Sequence, residues 1–110
     1  MGIATDVPQE LIEAVIAELA PRRIILFGSR ARGDGDDDSD WDLLLVLDDD
    51  TEPERAGWQS LHAARRGFAG PVDLVPCRET DFRERADVVG SLRWLAIREG
   101  RLVYERPDAG

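Results

Sequence analysis

The sequence predicts an α/β (α+β) domain, a short sheet of about four strands flanked by helices. Three observations carry that expectation. Ile24-Ile25-Leu26-Phe27 and Leu43-Leu44-Leu45-Val46-Leu47 are apolar on both faces, the mark of buried strands. Leu11, Ile12, Val15, Ile16 and Leu19 recur at helical spacing and make one apolar stripe. Pro21, Gly70-Pro71 and Gly100 interrupt the chain between such runs, where neither helix nor strand continues easily.

Element by element, the first helix is expected over Pro8 to Ala20, stopped by Pro21. Strand one follows over Arg23 to Phe27. Ser29 to Arg32 reads as a short helix or turn, and Gly33 to Ser39 as an acidic loop. Strand two spans Trp41 to Leu47 and ends on the polar stop Asp48-Asp49-Asp50. Thr51 is placed to cap a helix beginning near Pro53, with proline in its first turn and an end near Arg66. Trp58, Leu61 and Arg65 share one of its faces. After Gly70-Pro71, Val72 to Val75 is strand three, and Thr80 opens a short helix containing Phe82. Ser91 to Glu99 reads as a last helix, with Leu92, Leu95 and Ala96 inward and Gly100 as terminator. Leu102-Val103-Tyr104 forms a closing edge strand. Residues 1–7 and 107–110 are expected to be flexible ends of a single domain covering 1–110.

Composition narrows the function. Fourteen basic against 23 acidic residues give a net charge of −9, which argues against non-specific binding to a nucleic-acid backbone or an anionic membrane. Cys77 is the only cysteine, so an internal disulfide is excluded and a zinc cluster disfavoured. No apolar run approaches the roughly 20 residues of a membrane span. The amino terminus has neither a basic region nor an apolar signal core. A reducing cytoplasm is the expected setting.

Chemistry concentrates in Gly28-Ser29, then ten residues, then Asp40-Trp41-Asp42. Asp40 and Asp42 are two apart, so on a strand both carboxylates point to one face while Trp41 packs on the other. Ionised carboxylates at the edge of an apolar core are costly without a compensating cation, and paired hard oxygens suit Mg²⁺. Gly28-Ser29 ends strand one, where backbone N–H groups are available to a phosphate. Asp73 is a further aspartate inside the short apolar run of strand three. Other nucleotide and metal signatures fail. Gly28 to Gly33 has Walker A glycine spacing, but Asp34 stands where lysine is required and the chain contains no lysine. A dinucleotide fingerprint is absent. The loop from Asp34 lacks the glycine and glutamate of a calcium-binding EF-hand.

The spaced Gly-Ser and Asp-x-Asp pair, with Asp73 on a later strand, resembles the nucleotidyltransferase superfamily that includes polymerase beta. The chain's length suggests the minimal nucleotidyltransferase branch. Arg85-Ala86-Asp87 and the stretch Arg98 to Glu105 also look like that branch, so the likeness covers nearly the whole chain. The resemblance implies a nucleotidyltransferase fold with a short mixed sheet. It implies that Gly28 and Ser29 hold a triphosphate, with Arg30 and Arg32 contacting phosphate. Asp40, Asp42 and Asp73 become ligands of two Mg²⁺ ions, and Asp73 also the base for an acceptor hydroxyl. ATP would be the substrate and AMP the transferred group. Members of that branch are typically encoded with a helical HEPN-family toxin, and some transfer AMP to a tyrosine of it. The expected protein is therefore an antitoxin in a hetero-oligomer. Two alternatives stand beside it: a non-catalytic module neutralising its partner by contact, and a small-molecule transferase acting on an antibiotic-type hydroxyl.

Other polar and aromatic residues are read as structural. Asp36 to Asp38 solvate a loop, and Asp48 to Asp50 terminate a strand. His62 lies on a helix surface, and Cys77, Trp58 and Trp94 belong to the core.

Overall fold

The computed structural model describes residues 7–28, 31, 40–68, 70–85 and 100–107. Its elements are α1 (Gln9–Leu19), β1 (Arg23–Phe27), β2 (Trp41–Leu47), α2 (Trp58–Arg65), β3 (Val72–Arg78), α3 (Glu79–Arg85) and β4 (Arg101–Glu105). The strands form one mixed sheet in the order β3-β2-β1-β4. β1 runs antiparallel to both β2 and β4, whereas β2 and β3 are parallel. The parallel pair needs a crossover, and α2 lies within it.

β2 is central because both of its faces are apolar. Leu43, Leu45 and Leu47 join Ile24 and Leu26 of β1 beneath α1, whose stripe Leu11, Ile12, Val15 and Leu19 is buried as its spacing predicts. On the reverse face Leu44 and Val46 pack with Ile25, Cys77 and Phe82. Residues 43 to 46 are wholly buried, so every second side chain of β2 belongs to a different core. α1 stops at Ala20, which adopts the left-handed conformation (φ 47°) and donates to the Ile16 carbonyl before buried Pro21.

Strands one and two and the first helix fall where the sequence places them. Three expectations need correction. Residues 53–56 are turns rather than the first turn of a helix, because Gly57 is extended (φ −89°, ψ −179°) and α2 starts at Trp58. With that start the buried face carries Ala64 and half-buried Leu61, and Trp58 is 72% exposed rather than in the core. Arg65 likewise faces solvent. β3 continues past Val75 through Pro76 to Arg78, since an edge strand tolerates a proline whose missing N–H points away from the ladder. β4 is the expected edge strand, one residue longer at each end. The helix expected over Ser91 to Glu99, with Trp94, lies outside the described residues.

Candidate functional site

The register of the sheet assembles the site. Phe27 pairs with Asp42 across the antiparallel β1/β2 ladder, and Asp42 pairs with Asp73 across the parallel β2/β3 ladder. Period-two alternation sends Phe27, Asp42 and Asp73 to the face of Leu44 and Val46, near its open end. Asp40, two residues before Asp42 and outside the strand, is exposed, as is Asp73; Asp42 is half-buried. Trp41 goes to the opposite face and into the main core, as its position between the two aspartates predicts.

Electrostatics ties the three aspartates together. Burial raises the Asp42 carboxyl above the usual carboxylate range, and the negative charges of Asp73 and Asp40 raise it further. Asp40, Asp42 and Asp73 have no hydrogen-bond donor or ion-pair partner among the described residues. Among the described residues no group of three His, Cys, Asp or Glu is already arranged to hold a metal ion.

Gly28 sets the other wall. It takes φ +79°, a conformation L side chains rarely adopt, and an added Cβ would collide with Asp42 Oδ2 and lie 3.2 Å from its Cγ. The turn following β1 therefore lies directly against the half-buried carboxylate. The Ala31 N–H donates to the Gly28 carbonyl at 3.1 Å, so the chain turns immediately after that glycine. Ser29, Arg30 and Arg32 lie outside the described residues.

Hard-oxygen donors with uncompensated negative charge have the chemistry that a divalent cation takes, and Gly28 brings bare backbone beside them. The Asp48 to Asp50 stop has another role. Asp48 accepts from Arg22 Nη1 at 2.9 Å and from Arg106 Nη1 and Nη2 at 3.0 and 2.9 Å. Asp49 accepts from the backbone N–H of Thr80 at 2.9 Å and from its hydroxyl, holding the start of α3. These are fastenings at the far end of β2.

One part of the surroundings escaped the sequence reading. A cleft of about 420 Å³ opens beside Asp40, with His62, Arg65, Arg66 and Phe68 among its walls. The available signal was Arg65-Arg66 at a helix end with Leu61 and His62 four positions back, where acidic partners would otherwise stand.

Comparison with known proteins agrees with this geometry. A family model described as nucleotidyltransferase domain matches residues 9–95. Among solved structures the chain is similar to a toxin-antitoxin crystallised with AMP-PNP, with 20% identity and a TM-score of 0.58, covering 90% of this chain and 75% of that one. It is also similar to a mutant of the toxin-antitoxin MntA-HpeT, with 17% identity and a TM-score of 0.59, covering 91% and 75% of the two chains. At these identities the likeness is one of fold. No curated protein matches the chain in sequence. The family match spans α1 through β3 and thus every residue of the carboxylate face; the chain belongs to the nucleotidyltransferase domain family.

Proposed function

We propose that this chain is an Mg²⁺-dependent protein adenylyltransferase that acts as the antitoxin of a helical HEPN-type toxin in the cytoplasm. The family generally uses a nucleoside triphosphate and a divalent metal. The toxin-antitoxin nature of two similar structures, one with AMP-PNP, supports the partner and the nucleotide. The observation that carries the reading is the pairing of Asp42 with Asp73 beside Gly28, without a guanidinium among the described residues to neutralise them.

Asp40, Asp42 and Asp73 would hold the cations, and Gly28, Ser29, Arg30 and Arg32 the triphosphate. Divalent cations held there would supply charge neutralisation for an in-line displacement at phosphorus. Asp73 is the more exposed member of the strand pair and accepts the proton of the attacking tyrosine hydroxyl. The new bond joins the tyrosyl oxygen to the α-phosphorus. The bond from the α-phosphorus to the bridging oxygen breaks, and pyrophosphate leaves from the turn at Gly28. That turn holds the phosphates in place while the acceptor approaches from the exposed edge of β3.

The test is incubation of the purified chain and its partner with α-labelled ATP and Mg²⁺. Label should appear on a partner tyrosine and vanish with Asp42→Ala. Equal neutralisation of the toxin by both proteins, without label, would identify the contact-only alternative instead.

A further inference from the structure

The cleft beside Asp40 is lined by two guanidiniums, Arg65 and Arg66, that the nucleotidyl-transfer reading does not use. Its walls include Asp40 and, from the end of α2 onward, Arg65 and Arg66, together with His62 and Phe68. The Arg65 side chain is anchored by one bond, from Nη1 to the Val72 carbonyl at 3.2 Å, and meets no carboxylate among the described residues. The Arg66 guanidinium has no hydrogen bond or ion pair among the described residues. Elsewhere Arg22, Arg23, Arg83 and Arg106 are paired with carboxylates, and Arg78 donates to the backbone carbonyls of Asp48, Asp49 and Thr51. In a chain of net charge −9, two adjacent unpaired guanidiniums make a local reversal of the field. An aromatic platform continues the cleft's edge. Trp58, 72% exposed, stacks on His62 with ring centroids 5.2 Å apart and planes 10° from parallel.

We propose that this cleft docks the acceptor as an acidic, aromatic-bearing segment of a partner protein. This rests on the transfer reading above and adds the chemistry of its substrate. The signs of the lining charges set the orientation: carboxylates of the segment pair with Arg65 and Arg66, while its hydroxyl lies toward Asp40 and the carboxylate face. A reversed orientation would place acidic side chains against Asp40. The stacked Trp58–His62 pair offers the flat apolar surface that an aromatic neighbour in the segment covers.

The probes are two pentapeptides, Glu-Glu-Tyr-Glu-Glu and Lys-Lys-Tyr-Lys-Lys, titrated into the full chain while Trp fluorescence is followed. Affinity for Mg-ATP is measured separately by calorimetry. The acidic peptide should bind at least about tenfold more tightly than the basic one, and Arg66→Glu should erase that preference. Arg66→Glu removes no bond among the described residues, so it tests the cleft without undoing the fold. Trp58→Ala should weaken the acidic peptide about threefold or more. Equal binding of the two peptides, or a preference that survives Arg66→Glu, would overturn the proposal. So would loss of Mg-ATP affinity in Arg66→Glu, which would make the cleft part of the nucleotide site. Failure of wild type to take up Mg-ATP, with the peptide preference intact, would overturn the transfer reading alone.

Discussion

At its carboxyl end β2 runs into Asp48, held between Arg22 and Arg106, and Asp49, which fastens Thr80. At its amino end the same residue type at position 42 lies between Phe27 and Asp73, with Asp40 two residues away and no guanidinium bound to it among the described residues. The hydrogen bonds from Arg106 and Arg22 hold Asp48 below the usual carboxylate range, and those from Thr80 do so for Asp49. Burial and two like charges push Asp42 above it. Residue type and strand are shared, so the difference lies in the cations the fold supplies. Nearby Glu79 extends the contrast: it is 7% exposed, and Arg23 and Arg83 bind it at 2.9 to 3.1 Å. One end of the sheet is organised for stability. The other carries a charge imbalance that an incoming cation would relieve, as functional carboxylates often do.

Removing the carboxylate charge at the open end should separate the two properties most sharply. Asp42→Asn is expected to lower nucleotidyl transfer about 10³-fold, about 4 kcal/mol of transition-state stabilisation. The same substitution should stabilise the metal-free chain by about 0.5 kcal/mol, a figure already discounted for solvent screening. Steady-state kinetics and chelator-treated thermal melts check the two halves. A variant that lost activity and also melted lower would place Asp42 among the structural fastenings and dissolve the contrast.

The closed end should respond in the opposite sense. Glu79→Ala leaves Arg23 and Arg83 without their shared carboxylate and should cost about 3 kcal/mol of stability. Transfer per folded molecule should stay within about twofold. Urea unfolding with activity measured on the folded fraction decides it. A large fall in kcat would mean that the two ends are coupled through β2.

Most of this contrast was legible in the chain before its structure. The double-sided apolar runs placed β1 and β2 correctly, because residues buried on both faces leave no other periodicity to follow. The two-residue spacing of Asp40 and Asp42 put Trp41 on the opposite face, since strand alternation depends on nothing distant. What was not legible depended on pairing. Glu79 looks like any surface acid until β3 and α3 bring it to Arg23, 56 residues away in sequence. Trp58 shares helical spacing with Leu61 and so reads as core, but it opens its helix directly after the extended Gly57 and is exposed. Arg65 and Arg66 could be noticed in sequence, but their lack of carboxylate partners among the described residues is a property of the fold.

Gly28→Ala probes how closely the turn and the carboxylate are matched. Alanine at φ +79° is strained by about 1 kcal/mol, and its Cβ meets the Asp42 carboxylate. Transfer should fall about 30-fold, roughly 2 kcal/mol, through displacement of Asp42. In a double-mutant cycle with Asp42→Ala the stability cost of Gly28→Ala should shrink, because the colliding atoms are gone. Strict additivity would show that the glycine serves its backbone conformation only.

The smallest effect is a difference of slope with pH, and it reads the two ends in one titration. Asp48 and Asp49 titrate below their unfolded value, so their contribution is present above the ordinary carboxylate range and is lost on acidification through the folded value. Asp42 titrates above its unfolded value. Between the two, the unfolded chain has released a proton that the native chain retains, and stability falls as pH rises through that window. Urea midpoints of metal-free protein from about pH 3 to about pH 7 should therefore rise and then decline slightly. In Asp42→Asn the decline should disappear while the rise remains, and in Asp48→Asn the rise should be reduced while the decline remains. Mg²⁺ should remove the decline in wild type by binding the ionised form, whereas the acid-side rise, set by arginine and threonine donors at the other end, should not move.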